Sequence, residues 1–219
     1  MAEFVTQGEL LEQVAEATFD RPPALVANAH VTGLGVARAL SAHGVPVIAV
    51  DRTGTGVAPS SDAVDFAGAI TYPLDDQDGF REDVEALADA AGAPFVGFGC
   101  MDEWVHALAA TEPAGVRLPF ADRDVIDAVL DKTSLYRIAD DLGIPYPETR
   151  WLSETTVETA IADLGLPLVV KPARKREFEE AVGTNVVEVE TESEFRDVVS
   201  MARRSEEHTS ELQSHAPIS

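Results

Sequence analysis

Short apolar runs and amphipathic segments alternate along the first part of the chain. The apolar runs have the length of buried strands, and the segments between them place apolar residues at helical spacing. The predicted strands cover 24–29, 45–50, 67–71, 94–99 and 116–119, and the predicted helices cover 6–18, 36–43, 77–91, 104–110 and 123–130. This alternation is typical of a doubly wound parallel sheet. We therefore predict an open α/β domain over residues 1–124.

The pattern changes near residue 125, and the remainder predicts a smaller α+β region over 125–203. An amphipathic helix opens at Asp131 and ends near Gly143. A run with the length of a buried strand, Leu168 to Val170, leads directly into Lys171. The prediction also includes helices over 154–164 and 192–203, strands over 166–171 and 185–190, and a charged loop over 172–184.

Composition and charge narrow the classes of function. The chain has 219 residues, 45% of them apolar, with a single cysteine and a formal net charge of −23. No disulfide framework or multi-cysteine metal site is therefore expected. A surface this acidic repels phosphate backbones and anionic lipids. We therefore expect no nucleic-acid or membrane partner. Without a signal-peptide pattern or a long apolar span, the sequence predicts a cytoplasmic protein.

Lysine is scarce among the cations. Lys132, Lys171 and Lys175 are the only lysines, and arginine supplies the other 13 basic residues. Abundant acid with little lysine predicts a halophilic protein, because high salt screens self-repulsion. The alternative is a merely acidic protein from an ordinary environment.

The last sixteen residues, 204–219, differ from everything before them. They are polar, lack an apolar stripe, and include the run RSEEHTSELQSH. This run resembles the in-frame translation of a sequencing-library adapter, and such scars are excluded from fold reasoning. We expect the natural gene to continue past Arg203, which would make the chain truncated; a natural disordered tail is the alternative.

Three segments in order resemble an ATP-grasp domain. DKTSLYRIADDLGIPYP, from Asp131, places a lysine before a helix that ends in a Gly-Ile-Pro-x-Pro motif. GLPLVVKP, from Gly165, resembles the strand of that family with an inward lysine, here Lys171. GTNVVEV, from Gly183, resembles the end of the loop that covers phosphate, followed by its strand. The domain before them matches the usual N-terminal domain of the family.

The resemblance implies a carboxylate–amine ligase that forms an acyl phosphate with MgATP. It places Lys132 and Lys171 at the triphosphate, and ATP chemistry requires cations there. The loop residues Arg174, Lys175, Gly183 and Thr184 are further candidates for ATP binding. A solvated surface is the alternative for Lys132, and pairing of the basic cluster with Glu179 and Glu180 is the alternative for that loop.

The same resemblance places the adenine hinge and the Mg²⁺ ligands beyond residue 203, so we assign no metal ligand here. We therefore expect these residues alone to have no catalytic turnover. The resemblance also allows a homodimer.

The resemblance implies that the glycine turn after the first predicted strand is structural or borders the substrate site, which makes Asn28, His30, Thr32 and Arg38 substrate candidates. Glu103 is a further candidate, because it follows a predicted strand where open α/β sheets bind ligands. No catalytic role is assigned to any of these residues. Asp102 is expected to cap the helix after it. Nothing in the sequence places an activating base or cation near Cys100.

Two other functions remain open. Gly33 and Gly35 after a strand, with Asp51 at the end of the next, suggest a nicotinamide-dependent oxidoreductase, although arginine stands where the third glycine belongs. The other is a non-catalytic nucleotide-binding or interaction module.

Overall fold

A computed structural model describes residues 2–171 and 186–201 of the chain. It divides the chain into two compact units, the first ending at Leu130 and the second beginning at Asp131. The two units are described separately below.

The first unit is built on a six-stranded parallel sheet with the order β1-β4-β3-β2-β5-β6. Its strands are β1 (Phe4–Val5), β2 (Ala24–Ala27), β3 (Val47–Asp51), β4 (Phe66–Ala69), β5 (Phe95–Gly99) and β6 (Val116–Arg117). Its helices are α1 (Gln7–Glu16), α2 (Val31–Ser41), α3 (Gln77–Ala91), α4 (Asp102–Thr111) and α5 (Arg123–Leu130).

Burial on both faces of the sheet explains the continuous apolar runs of the central strands. Every residue of β2 and β3 is buried. Leu25 and Ile48 pack on one face in the larger core, which includes Phe80 of α3 and Trp104 of α4. Val26 and Ala49 pack on the opposite face with Ala37 of α2. Helices cover both faces, so the predicted doubly wound parallel sheet is confirmed.

Side-chain caps fix the starts of the helices. Thr6 and Glu9 form a reciprocal capping box at α1, and Asp76 accepts a hydrogen bond from the Gly79 amide at α3. These bonds satisfy amide groups that the first helical turn leaves without an intrahelical partner. Strand β1, only two residues long, has no counterpart in the sequence prediction.

The first unit extends beyond residue 124, where sequence analysis placed the domain boundary. Helix α5 belongs to it, because α5 contacts α4. The His106 Nε2 atom of α4 lies 3.1 Å from the Asp127 Oδ1 atom of α5. The compact unit therefore ends where α5 ends, at Leu130.

The second unit is smaller and has an α+β composition. It contains α6 (Lys132–Asp141), α7 (Val157–Leu164), the antiparallel pair β7 (Leu168–Val170) and β8 (Val187–Val189), and helical residues 192–201, here called α8. Its core gathers around Ala160, Val189, Phe195 and Val199. Among the described residues of both units, no helix combines the length and apolar character needed to cross a membrane.

Candidate functional site

The strand order reverses at β2 of the first unit. The chain leaves β2 for β3 on one side, and it later enters β5 on the other side of β2. Open α/β sheets bind ligands at such a reversal, outside the carboxyl ends of the strands. The segments that leave this edge are Asn28–His30 after β2, Arg52 after β3 and Cys100–Glu103 after β5.

The turn after β2 is held in an unusual conformation. Asn28 is buried and has φ +80°, a left-handed value that asparagine tolerates better than most residues. The Asn28 Oδ1 atom accepts a hydrogen bond from the His30 amide at 3.4 Å. The buried Asp51 accepts the Ala29 amide at 3.0 Å and the Arg52 amide at 2.7 Å. Asp51 thus ties together the ends of two adjacent strands.

The glycine pair does not form a dinucleotide-binding turn. Helix α2 begins at Val31, so Gly33 and Gly35 lie inside the helix and not in the loop before it. A Cβ atom at Gly33 would lie 2.1 Å from the Asn28 carbonyl oxygen, which explains the need for glycine there. Each oxygen of Asp51 accepts one backbone amide, so this carboxylate holds the ends of β2 and β3 in place.

A buried aromatic side chain connects the two sides of this edge. Tyr72 follows β4, and its hydroxyl donates a hydrogen bond to the Glu103 Oε1 atom at 3.2 Å. The Arg52 guanidinium carbon lies 4.6 Å from the centroid of the Tyr72 ring. Glu103 is a sequence candidate, but Tyr72 and Arg52 were missed. A polar aromatic residue directly after a predicted strand was the available signal for Tyr72.

Two expectations for the segment after β5 have different outcomes. The predicted cap at Asp102 is wrong, because Met101 is the N-cap of α4 and Asp102 is the first helical residue. The carboxylate of Asp102 lies in the first turn, where it interacts favourably with the helix dipole. Burial raises the pKa of the Cys100 thiol to about 11, which agrees with the absence of nucleophilic character expected there.

The remaining substrate candidates of the first unit separate along α2. His30 is the N-cap of this helix and makes no side-chain capping bond, and Thr32 lies in its first turn; both are exposed. Arg38 lies in the last turn, about 10 Å further along the axis at 1.5 Å per residue. The structure therefore brings Asn28, His30 and Thr32 to the same end of α2, and it does not bring Arg38 there.

The two candidate lysines of the second unit lie at the ends of regular elements. Lys132 is the first residue of α6, directly after Asp131, whose side chain caps the helix through the Ser134 amide at 2.8 Å. Lys171 directly follows β7 and is exposed. The expectation of a buried run before Lys171 is wrong, because Val169 is 51% exposed and its two strand neighbours are only partly buried.

The loop candidates Arg174, Lys175, Gly183 and Thr184 lie outside the described residues. Within the described residues, no group of three or more histidine, cysteine, aspartate or glutamate side chains is placed to hold a metal ion.

Comparison with known proteins finds several proteins to which the chain is similar. No family model matches the chain. D-alanine–D-alanine ligase of Pseudomonas entomophila is 30% identical over 146 residues, which make up 66% of this chain and 38% of that protein. The chain thus spans well under half the length of this relative.

Solved structures match a larger part of the chain. An N5-carboxyaminoimidazole ribonucleotide synthetase in complex with ADP has a TM-score of 0.58 at 16% identity, covering 85% of this chain and 45% of that one. An L-amino acid ligase from Bacillus licheniformis has a TM-score of 0.52 at 17% identity, covering 83% and 42%. The chain has the fold of the N-terminal part of ATP-grasp ligases.

The ATP-grasp resemblance drawn from the three motifs is therefore confirmed for the fold. The named relatives are ligases, and they give no support to a nicotinamide-dependent oxidoreductase.

Proposed function

We propose that the chain is part of an ATP-dependent carboxylate–amine ligase of the ATP-grasp type. The observation that carries the proposal is the position of two of its three lysines. Lys132 begins α6 and Lys171 follows β7, which are the two places where the motifs of the family have a lysine. The doubly wound sheet that precedes them agrees with this order of domains.

The reaction has two steps. A carboxylate oxygen of the first substrate attacks the γ-phosphorus of ATP, and the bond to the leaving ADP oxygen breaks. The amine of the second substrate, in its neutral form, then attacks the carbonyl carbon of the acyl phosphate; inorganic phosphate leaves, and the new amide nitrogen loses a proton. Lys132 and Lys171 contribute positive charge where the triphosphate oxygens gain negative charge in the first step. Arg174, Lys175, Gly183 and Thr184 are proposed to cover the phosphates.

Substrate binding is assigned to the carboxyl edge of the first unit. Glu103 is 8% exposed and is oriented by the Tyr72 hydroxyl, so its carboxylate suits a protonated amine. Asn28, His30 and Thr32 line the start of α2, where amide groups favour an anion. Arg38 is proposed only as an outer contact, since it lies at the far end of that helix.

Equilibrium binding of MgATP to the purified chain tests the assignment of the lysines. Lys171→Ala is expected to weaken binding about tenfold or more, the usual effect of losing a charge-assisted contact. Arg137→Ala is the matched control, because it removes one exposed cation from α6, where Lys132 also lies. If the unchanged chain binds MgATP and Lys171→Ala binds it as tightly as Arg137→Ala does, the role of Lys171 is contradicted.

Turnover is a separate question. We predict that these 219 residues alone release no ADP in the presence of a carboxylate and an amine. ADP release above the background would contradict that prediction while leaving the ligase assignment in place. The homodimer, the cytoplasmic location and the adaptation to salt stay predictions.

A further inference from the structure

Arg52 contacts an aromatic ring, whereas most other arginines among the described residues contact a carboxylate. Five arginines each have a side-chain nitrogen within 4.0 Å of a carboxylate oxygen: Arg81, Arg123, Arg137, Arg150 and Arg196. Arg52 forms no such pair with a described residue, and its guanidinium lies over the Tyr72 ring. The sequence holds 39 acidic and 16 basic residues, so an arginine whose guanidinium lies on an aromatic ring is notable.

Both ends of this arginine are held in place. Its amide donates to the Asp51 Oδ1 atom at 2.7 Å, which fixes the backbone at the end of β3. The Tyr72 ring that supports the guanidinium is 5% exposed and is itself fixed by the hydrogen bond to Glu103. A side chain that is already ordered loses less conformational entropy when it binds a ligand.

The loop after Arg52 is folded onto the turn that follows β2. The Ala58 amide donates to the Ala29 carbonyl at 2.9 Å. A Cβ atom at Gly56 would lie 2.5 Å from the same oxygen, so the loop approaches Ala29 as closely as glycine permits. Between these points, the hydroxyls of Thr53 and Thr55 lie 2.9 Å apart. The loop therefore adds a cation and two hydroxyls to the edge that carries Asn28 and Glu103.

We propose that Arg52 binds a compact oxyanion, carboxylate or phosphate, which the substrate carries in addition to its reacting groups. The proposal rests on the ligase function and adds the class of substrate. Guanidinium groups bind both anions through paired N–H donors, and an aromatic face leaves those in-plane donors available. The negative charge of the whole chain opposes non-specific retention of anions, so a bound anion requires a local site.

Titration of the 219-residue chain with inorganic phosphate and, separately, with succinate tests this proposal without any nucleotide. Low ionic strength is needed, since salt screens contacts between exposed charges. We expect saturable binding of at least one probe and a loss of about tenfold or more in Arg52→Gln. The probe that binds more tightly identifies the anion as phosphate or carboxylate.

Arg117→Gln is the matched control. It removes one positive charge from an exposed residue of β6 in the same unit. We expect it to bind both probes like the unchanged chain. Absence of binding to the unchanged chain, or an equal loss in both variants, would overturn the proposal.

Two further variants test the Tyr72 hydroxyl and the shape of the cation. Tyr72→Phe keeps the aromatic face but loses the hydrogen bond that fixes the ring, so it is expected to bind slightly more weakly. Arg52→Lys keeps the charge but loses the planar fork and is expected to bind several-fold more weakly. Full affinity in Arg52→Lys would overturn the role of the guanidinium. Because no nucleotide is present, failure here is distinguishable from failure of the ATP-binding assignment to Lys171.

Discussion

The two units bury their strands to very different extents. Every residue of β2 and β3 is buried, whereas Val169, at the centre of β7, is 51% exposed. The larger core of the first unit combines Trp104, Phe80 and Phe95 with aliphatic residues from both strands and helices. Among the described residues, the core cluster of the second unit has four buried apolar side chains, of which Phe195 is the largest.

Charged contacts are correspondingly prominent in the second unit. Arg150 bonds Asp163 at 2.7 Å and Glu148 at 3.0 Å. Arg196 bonds Glu158 and Glu192 and so connects α7 with α8. Exposed ion pairs each contribute little to folding free energy and weaken in salt. The comparison therefore indicates that apolar packing determines the first unit, while a small core and surface contacts maintain the second.

Truncation of one central strand residue is expected to have the largest effect. Leu25→Ala removes a side chain with no exposed area from β2, which costs about 2–5 kcal/mol because a cavity remains. Val169→Ala in β7 is expected to change stability by less than about 0.5 kcal/mol, since that side chain is already half in water.

The two tryptophans allow each unit to be followed separately. Trp104 reports on the first unit and Trp151 on the second, so single-tryptophan backgrounds made with Trp151→Phe and Trp104→Phe isolate each signal. Urea unfolding in these backgrounds gives the two free energies. Similar losses for Leu25→Ala and Val169→Ala would show that the units do not differ as their burial indicates.

A pair of glycines in α2 provides a second test, with a smaller effect. A Cβ atom at Gly33 would meet the Asn28 carbonyl oxygen at 2.1 Å, so Gly33→Ala is expected to cost about 1–3 kcal/mol through overpacking. Gly35 faces open space in the same helix, so Gly35→Ala is expected to stabilise by about 0.5–1 kcal/mol. Urea unfolding followed at Trp104 measures both variants.

The sign difference between these two variants is the decisive result. If Gly35→Ala destabilised as much as Gly33→Ala, the close approach of α2 to the β2 turn would not explain the glycine at position 33. If neither variant changed stability, the first unit would be more deformable at this turn than its burial implies.

Local pattern predicted much of the fold but less of the site. Helices α3 and α5 match their predicted bounds, because their apolar periodicity is strong and flanking residues end it. Helix α2 begins five residues before its predicted start at 36, since glycines within a first helical turn resemble a loop in sequence. The contacts of Tyr72 with Arg52 and Glu103 depend on strand order, which local pattern does not contain.

The smallest expected effect concerns a helix start in the second unit. The Glu194 carboxylate accepts the amides of Glu190 at 2.9 Å and Thr191 at 3.1 Å, and these bonds lower the pKa of Glu194. A carboxyl group whose pKa is lower in the folded than in the unfolded chain stabilises the folded state at any pH above its unfolded pKa. That stabilisation is lost as the pH falls through its folded pKa.

We therefore follow the thermal midpoint of the second unit at Trp151 while the pH is lowered from about 6 to about 3. The midpoint is expected to drop by roughly a degree or two more in the unchanged chain than in Glu194→Gln. Glutamine keeps an acceptor oxygen but does not titrate in this range, so the variant isolates the ionisation. Glu12→Gln, an exposed change in α1, controls for the loss of one negative charge. An equal pH dependence in the unchanged chain and Glu194→Gln would mean that the core around Phe195, and not this carboxylate, determines how the second unit responds to acid.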